Sequence, residues 1–138
     1  MSKQLLIIYA GHSPTGSTAT IAKWIGGNVI EKTGASVYVN VIIKAASDAT
    51  AEDVDNADGI VLGSGTYNGN PEQEMIKFVN NKLGGGIGKP VLAGKICGVF
   101  CTSAGYVSGA QPVLNGLARL AMTFGATFVG GGDWRTSQ

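Results

Sequence analysis

The sequence predicts an α/β fold: a doubly wound, five-stranded parallel sheet in the order 2-1-3-4-5, formed by residues 1–138 as a single domain. Three observations carry that prediction. Short continuous apolar runs recur along the chain, as expected of strands buried on both faces. Stretches with helical spacing of apolar residues alternate with them, the pattern of parallel strands joined by crossover helices. Glycine-rich joins separate the two kinds of segment, and 22 glycines in 138 residues is a high count.

Gln4 to Tyr9 is the first apolar run, bounded by Gly11 and Pro14. A helix is expected from about Thr18 to Lys32, with Ile21, Ile25 and Val29 four apart on one side and Gly34 closing it. Val37 to Ile43 reads as the second strand, and residues 47–57 as a short helix. Gly59 to Gly63 reads as a short third strand. Asn70-Pro71-Glu72-Gln73 has the form of a helix start, with Asn70 as cap and proline at the first helical position. Met75, Phe78, Val79 and Leu83 would then form its buried stripe.

Ile96 to Cys101 is the fourth strand. A helix from about Gln111 to Phe124 would bury Val113, Leu114, Leu117, Leu120 and Ala121 and stop at Gly125. Thr127 to Val129 is the fifth strand. Only Gly130 to Gln138 follow, too few for the usual last helix, so the final helix is expected to be missing. An apolar area near Trp24 would then stay uncovered, and a homodimer or larger assembly is expected to cover it.

Composition narrows the function. Hydrophobic residues make up 44% and charged residues 14%, which suits a packed core. The net charge is +1 with no basic run, so neither a nucleic acid nor a membrane is expected as partner. Residues 1–4 lead straight into a strand, leaving no room for a signal peptide, and a cytoplasmic location is expected. Cys97 and Cys101 would point to one face of a strand roughly 13 Å apart, too far for a disulfide. They read as small buried hydrophobes in a reducing compartment. No cysteine or histidine spacing suggests a metal.

Chemistry in such a fold belongs to the loops after the strands. Gly11-His12-Ser13-Pro14-Thr15-Gly16-Ser17-Thr18 fills the first of them. A phosphate there can take hydrogen bonds from free amides at the helix start and from the hydroxyls of Ser13, Thr15, Ser17 and Thr18. The octet imitates a nucleoside-triphosphate loop, but Ser17 stands where phosphoryl transfer needs a lysine. Binding of one phosphate is therefore favoured over ATP chemistry.

Other readings fail on particular residues. His12-Ser13 stand where a receiver domain needs acidic residues, and Val107 where a phosphatase loop begun by Cys101 needs arginine. The presence of His12 as the single histidine and the lack of a G-x-S-x-G elbow argue against a serine-hydrolase triad. His12 reads as a hydrogen-bonding loop residue.

Taken together, three loops resemble the flavodoxin superfamily. Ser13-x-Thr15-Gly16-Ser17-Thr18 matches its phosphate loop, S/T-x-T-G-x-T. Gly63-Ser64-Gly65-Thr66-Tyr67-Asn68-Gly69-Asn70 resembles the G-x-P-T-x-x-G-N segment of the WrbA-type NAD(P)H:quinone oxidoreductases, and Thr102 to Gln111 resembles their S-T-G-x-x-G-G-Q loop. The similarity runs from about residue 3 to residue 130.

The resemblance implies a flavodoxin-like fold and an FMN cofactor. Ser13, Thr15, Gly16, Ser17 and Thr18 would hold its phosphate. Thr66, Tyr67, Asn68, Gly69 and Asn70 would line one edge and face of the isoalloxazine ring, and Ser103, Ala104, Gly105, Tyr106 and Gly109 the other side. No catalytic side chain is implied, because the flavin carries the chemistry. Gly65 and Gly69 flank the place where the family's backbone meets the ring.

The branch implied is an oxidoreductase passing electrons from NAD(P)H through FMN to a quinone-like small-molecule acceptor. A flavodoxin-type carrier serving a redox protein is the alternative, and a flavin-free interaction module of the same fold a third. Carriers of this family are usually strongly acidic, and a charge of +1 gives little steering toward a basic partner. Leu120 to Phe124 hold no histidine where the WrbA-type branch carries one near the flavin.

Overall fold

In a computed structural model, residues 2–11, 13, 15–33, 38–84, 89–105 and 109–130 are described. The parallel strands β1 (Ser2–Ala10), β2 (Tyr38–Ala45), β3 (Gly59–Tyr67), β5 (Ile96–Thr102) and β6 (Thr127–Phe128) lie in the order β2-β1-β3-β5-β6. This is the expected 2-1-3-4-5 arrangement, with one addition. A sixth strand, β4 (Asn70–Pro71), pairs antiparallel with the end of β3, so that Thr66 faces Pro71 and Tyr67 faces Asn70.

Register sorts the side chains onto two faces, because paired residues of parallel strands share a side and alternate along each strand. One face carries Leu6, Ile8, Ile60, Leu62 and Cys97, all buried against Met75, Phe78, Val113 and Leu117. These come from α3 (Gln73–Phe78), which continues as a π-helical turn Val79–Leu83, and from α4 (Ala110–Thr123). Each fully buried Leu, Ile or Phe contributes roughly 1.5–3 kcal/mol, so this layer holds the domain together. The expected stripes are borne out in Met75, Phe78, Val79 and Leu83 and in Val113, Leu117 and Ala121, while Leu114 and Leu120 are half-buried.

The other face meets α1 (Ser17–Thr33). Here the expected stripe needs correction. Ile21, Ile25 and Val29 are only half-buried, and the helix sits on the small residues Ala19, Ala22 and Gly26. A β-carbon on Gly26 would come 3.0 Å from Ile43 Cδ1 and 3.1 Å from Val41 Cγ1, so the branched side chains of β1 and β2 fill the space and the helix comes down close.

The helix start is also corrected. Asn70 does not cap α3. Asn68 (φ 54°) and Gly69 (φ 77°) form a two-residue left-handed turn that folds Asn70–Pro71 back onto β3. Pro71 fits an edge position, where no amide is needed for the ladder. The cap is Glu72, whose carboxylate accepts from Glu74 N–H at 2.7 Å. Fully buried Ser64 fixes the junction, accepting from Glu72 N–H at 2.8 Å and donating to Gly65 O at 2.8 Å.

The short helix expected in 47–57 is α2 (Ala51–Asn56), started by a capping box between Thr50 and Asp53. Lys44 grips the Asp53 carboxylate at 2.8 and 2.9 Å and holds its pKa below the ordinary 3.8, assisted by the Thr50 amide. Gly34, Val37 and residues 131–138 lie outside the described residues, and among the described ones no helix follows β6.

One consequence of α1 standing near β1 and β2 is an open strip over β3, β5 and β6. Phe100 lies flat across Gly63, whose absent β-carbon would fall 2.0 Å from the ring. Ile96 and Val129 are 57% and 54% exposed, and a cavity of about 490 Å³ is lined by Leu5, Val29, Gly59, Val61, Ile96 and Gly98 among others. Trp24, on α1, is 71% exposed, as expected.

Candidate flavin site

Parallel strands bring their carboxyl ends to one edge, so the loops after β1, β3 and β5 meet there. In the first loop, Gly16 N–H donates to Ser13 O at 3.2 Å, closing a tight turn. Thr20 then donates to Gly16 O from both its amide and its hydroxyl, each at 3.0 Å, and α1 begins. The first-turn amides have no acceptor within the helix, and no acidic residue stands in that turn. Thr15 and Ser17 are exposed, Ser13 is half-buried, and the Ser13 and Thr15 hydroxyls are 3.4 Å apart. His12 and Pro14 lie outside the described residues.

Thr18 behaves differently from its neighbours. Its side chain is buried, at 5% exposure, and its hydroxyl lies 2.8 Å from that of Thr102 at the end of β5. Gly11 makes room, since a β-carbon there would come 3.1 Å from Thr18 Cβ and Oγ1.

In the second loop, Tyr67 is half-buried, and its ring lies against Gly65, where a β-carbon would come 3.0 Å from ring atoms. Burial, with the nearby Glu72 carboxylate, pushes its phenol pKa up. Asn68 and Asn70 are exposed, the Asn70 amide donating to Asn68 O at 3.3 Å. Thr66 Oγ1 is buried without a hydrogen bond of ordinary geometry, beside the Cys101 thiol. That thiol donates to Ala110 O at 3.5 Å, and burial pushes its pKa up.

The third loop presents Ser103, Ala104 and Gly105, all exposed, around an open cavity of about 360 Å³. Ser103 donates to Gly105 O at 3.1 Å. Tyr106 lies outside the described residues, with Val107 and Ser108. Gly109, at φ 91°, packs its backbone directly on Gly69.

The structure thus brings the described members of all three predicted groups to one edge of the sheet. Thr102, Ser64 and Glu72 were missed by sequence reasoning. The position of Thr102 as the last residue of β5 was the available signal for it; the caps of α3 carried none until the hairpin was known.

The donor set fits a flavin nucleotide. The hydroxyls and free amides of a helix start with no acidic residue in its first turn suit a phosphate dianion, although Asp48 and Glu74 line a cavity with Ser13. Thr66 Oγ1, buried beside the Cys101 thiol, makes no hydrogen bond of ordinary geometry at the end of β3. A β-carbon on Gly69 or Gly105 would meet nothing within 4 Å, so a flat ring has access to backbone there. Among the described residues no group of three His, Cys, Asp or Glu is placed to hold a metal, and no helix is long and apolar enough to cross a membrane.

A family model described as a flavodoxin domain matches residues 6–120. The chain belongs to the flavodoxin family. Its relatives include an NAD(P)H dehydrogenase (quinone) of Rhodopseudomonas palustris, 31% identical over 94% of this chain and 71% of that protein. A flavodoxin of Aquifex aeolicus is 30% identical over 95% of this chain and 66% of its own length. This flavodoxin-family chain therefore spans about two thirds of those relatives. Among solved structures, a flavodoxin, WrbA-like protein of Agrobacterium tumefaciens superposes with a TM-score of 0.66 at 24% identity, over 92% of this chain and 76% of that one. Family and relatives point to a flavin cofactor and suggest oxidoreductase chemistry.

Proposed function

We propose that this protein binds FMN and passes electrons from NAD(P)H to a quinone-like acceptor. The observation that carries the reading is the convergence of a hydroxyl-lined helix start with two glycine-bearing loops at the carboxyl ends of β1, β3 and β5. FMN, when bound, supplies hydride and electron acceptance at its ring.

The chain's own part is to bind and orient. The hydroxyls of Ser13, Thr15, Ser17 and Thr18 and the amides of Gly16 to Thr18 would hold the phosphate. Tyr67 would offer a flat aromatic surface, with Thr66 and the Asn68-Gly69-Asn70 turn along one ring edge. Ser103, Ala104, Gly105, Tyr106 and Gly109 would close the opposite side. No side chain is needed as an acid or base. The two free thiols suit a reducing, cytoplasmic compartment.

A flavodoxin-type carrier with a redox-protein partner is the second reading, favoured by the relative named flavodoxin. Titration of the purified chain with FMN, followed by NADH and NADPH consumption with a benzoquinone, separates the two. One FMN per chain and FMN-dependent quinone reduction support the enzyme. Retained FMN without turnover favours the carrier, and failure to retain FMN overturns both.

We also propose a homodimer formed across the open strip of the sheet. Val29 of α1 lines the cavity together with Leu5, Val61 and Ile96, and Ile21 and Ile25, eight and four residues before it, are half-buried, so α1 offers an apolar side and the strip an apolar groove. Such a surface complements itself under a two-fold axis, and a net charge of +1 opposes pairing little.

A further inference from the structure

The Thr18–Thr102 pair joins the start of α1 to the end of β5 across 84 residues of sequence, and Thr18 is buried. Two hydroxyls 2.8 Å apart share one hydrogen bond, and either oxygen can be its donor. The direction matters. If Thr18 donates to Thr102, it turns only lone pairs toward its surroundings, which repel an anion. If Thr102 donates to Thr18, the Thr18 hydrogen is unspent and available to an acceptor at the helix start.

Resting on the FMN reading above, we propose that Thr102 is a positioning residue: it donates its hydroxyl hydrogen to Thr18 Oγ1, so that Thr18 donates its own to the phosphate dianion. A dianion at the helix start favours this direction, because each donor in the chain is polarised by the next and the last bond is charge-assisted. Among the described residues neither hydroxyl has another hydrogen-bond partner to fix the opposite sense. Because Thr102 leads into Ser103-Ala104-Gly105, the bridge also ties the phosphate end of the site to its ring end.

Riboflavin, which lacks the phosphate, provides the control. Quenching of flavin fluorescence gives Kd for FMN and riboflavin with wild type, Thr102→Val, Thr102→Ser and Thr18→Val. Thr18→Val, which removes the hydrogen bond to the dianion itself, is expected to weaken FMN about tenfold. Thr102→Val leaves Thr18 its hydrogen but neither polarises nor orients it, and is expected to weaken FMN about threefold with riboflavin unchanged. Thr102→Ser keeps the hydroxyl and the wild-type ratio. Once Thr18 is valine, adding Thr102→Val has no further effect on FMN.

An FMN-to-riboflavin ratio unchanged in Thr102→Val overturns the proposal, as does equal weakening of both ligands. If Thr102→Val does not fold, Thr102→Ala takes its place with the same expectations. Wild type that binds riboflavin and FMN equally shows that the loop does not hold the phosphate, and wild type that binds neither removes the FMN reading itself.

Discussion

Gly109 lies so close to Gly69 that a β-carbon on Gly109 would come 2.5 Å from the Gly69 Cα and 2.9 Å from its nitrogen. Both residues have left-handed backbone, at φ 91° and 77°. The contact is backbone on backbone, so neither loop can yield by turning a side chain. It sets the spacing between the two loops that would clasp the flavin ring.

Gly109→Ala is therefore expected to cost more than Gly69→Ala. At Gly69 the added methyl meets nothing within 4 Å, and only the strain of a left-handed alanine remains, about 1–2 kcal/mol. At Gly109 the same strain is joined by a collision that pushes the loops apart. Urea unfolding gives the stability difference, and FMN titration is expected to show weaker binding for Gly109→Ala. Equal stability of the two variants would contradict the interlock.

A second glycine carries a side chain instead of a backbone. Gly63→Ala would drive a methyl into the Phe100 ring, and overpacking of this kind costs about 1–3 kcal/mol. Phe100→Leu removes the obstructing ring. The double variant Gly63→Ala, Phe100→Leu is expected to be more stable than the sum of the two single losses implies, as contacting residues are not additive. Strict additivity in urea midpoints would count against it.

The parallel sheet was legible because strands buried on both faces read as unbroken apolar runs, and Leu6 to Ile8 are wholly buried. The phosphate loop was legible because its serines and threonines are local in sequence. The β3–β4 hairpin was not read, although Asn68-Gly69 is a strong turn signal, because Asn70-Pro71 also satisfies the pattern of a helix start. Two local rules competed, and the buried Ser64 hydroxyl gripping Glu72 N–H decides for the hairpin. The Ile21, Ile25, Val29 stripe misled for a different reason. Periodicity marks an apolar side, but close approach to the sheet is made by Ala19, Ala22 and Gly26. The place of Thr102 at a strand end was legible, but its pairing with Thr18 was not, since the two lie 84 residues apart.

Acid sensitivity follows from Asp53. Its folded pKa lies below 3.8, so its ion pair with Lys44 and its cap on Thr50 N–H are fully present above that value. Their contribution fades as pH falls from 3.8 through the lowered folded value. Asp53→Asn keeps an oxygen that can accept from Thr50 N–H, so it is expected to lose less than about 1 kcal/mol near pH 7, chiefly the charge-dependent hold of Lys44. The difference from wild type should close below pH 3.8 in urea titrations, and a difference independent of pH would exclude the carboxylate as its source.

The two thiols should be told apart by reactivity. Burial pushes Cys97 up to about 11, and Cys101 up by less burial, so neither is appreciably thiolate at pH 7. With a disulfide reagent at pH 8, Cys101 is expected to react first and Cys97 only on unfolding, each giving one equivalent. Rapid modification of Cys97 in the native protein would mean that its strand opens readily.

The open strip of the sheet makes the last prediction. Ile96 and Val129 are each more than half exposed, Ile96 at a groove that Gly59 and Gly98 also line, and solvated apolar surface of this kind favours association. Light scattering at tens of micromolar is expected to give twice the chain mass of 14.1 kDa. Ile96→Lys puts a charge in the groove and should give the single-chain mass. Ile96 begins β5 and Thr102 ends it, six residues away, or roughly 20 Å along the strand, so FMN affinity should not change. A wild type that scatters as one chain would contradict the pairing, and an Ile96→Lys dimer would place the interface elsewhere.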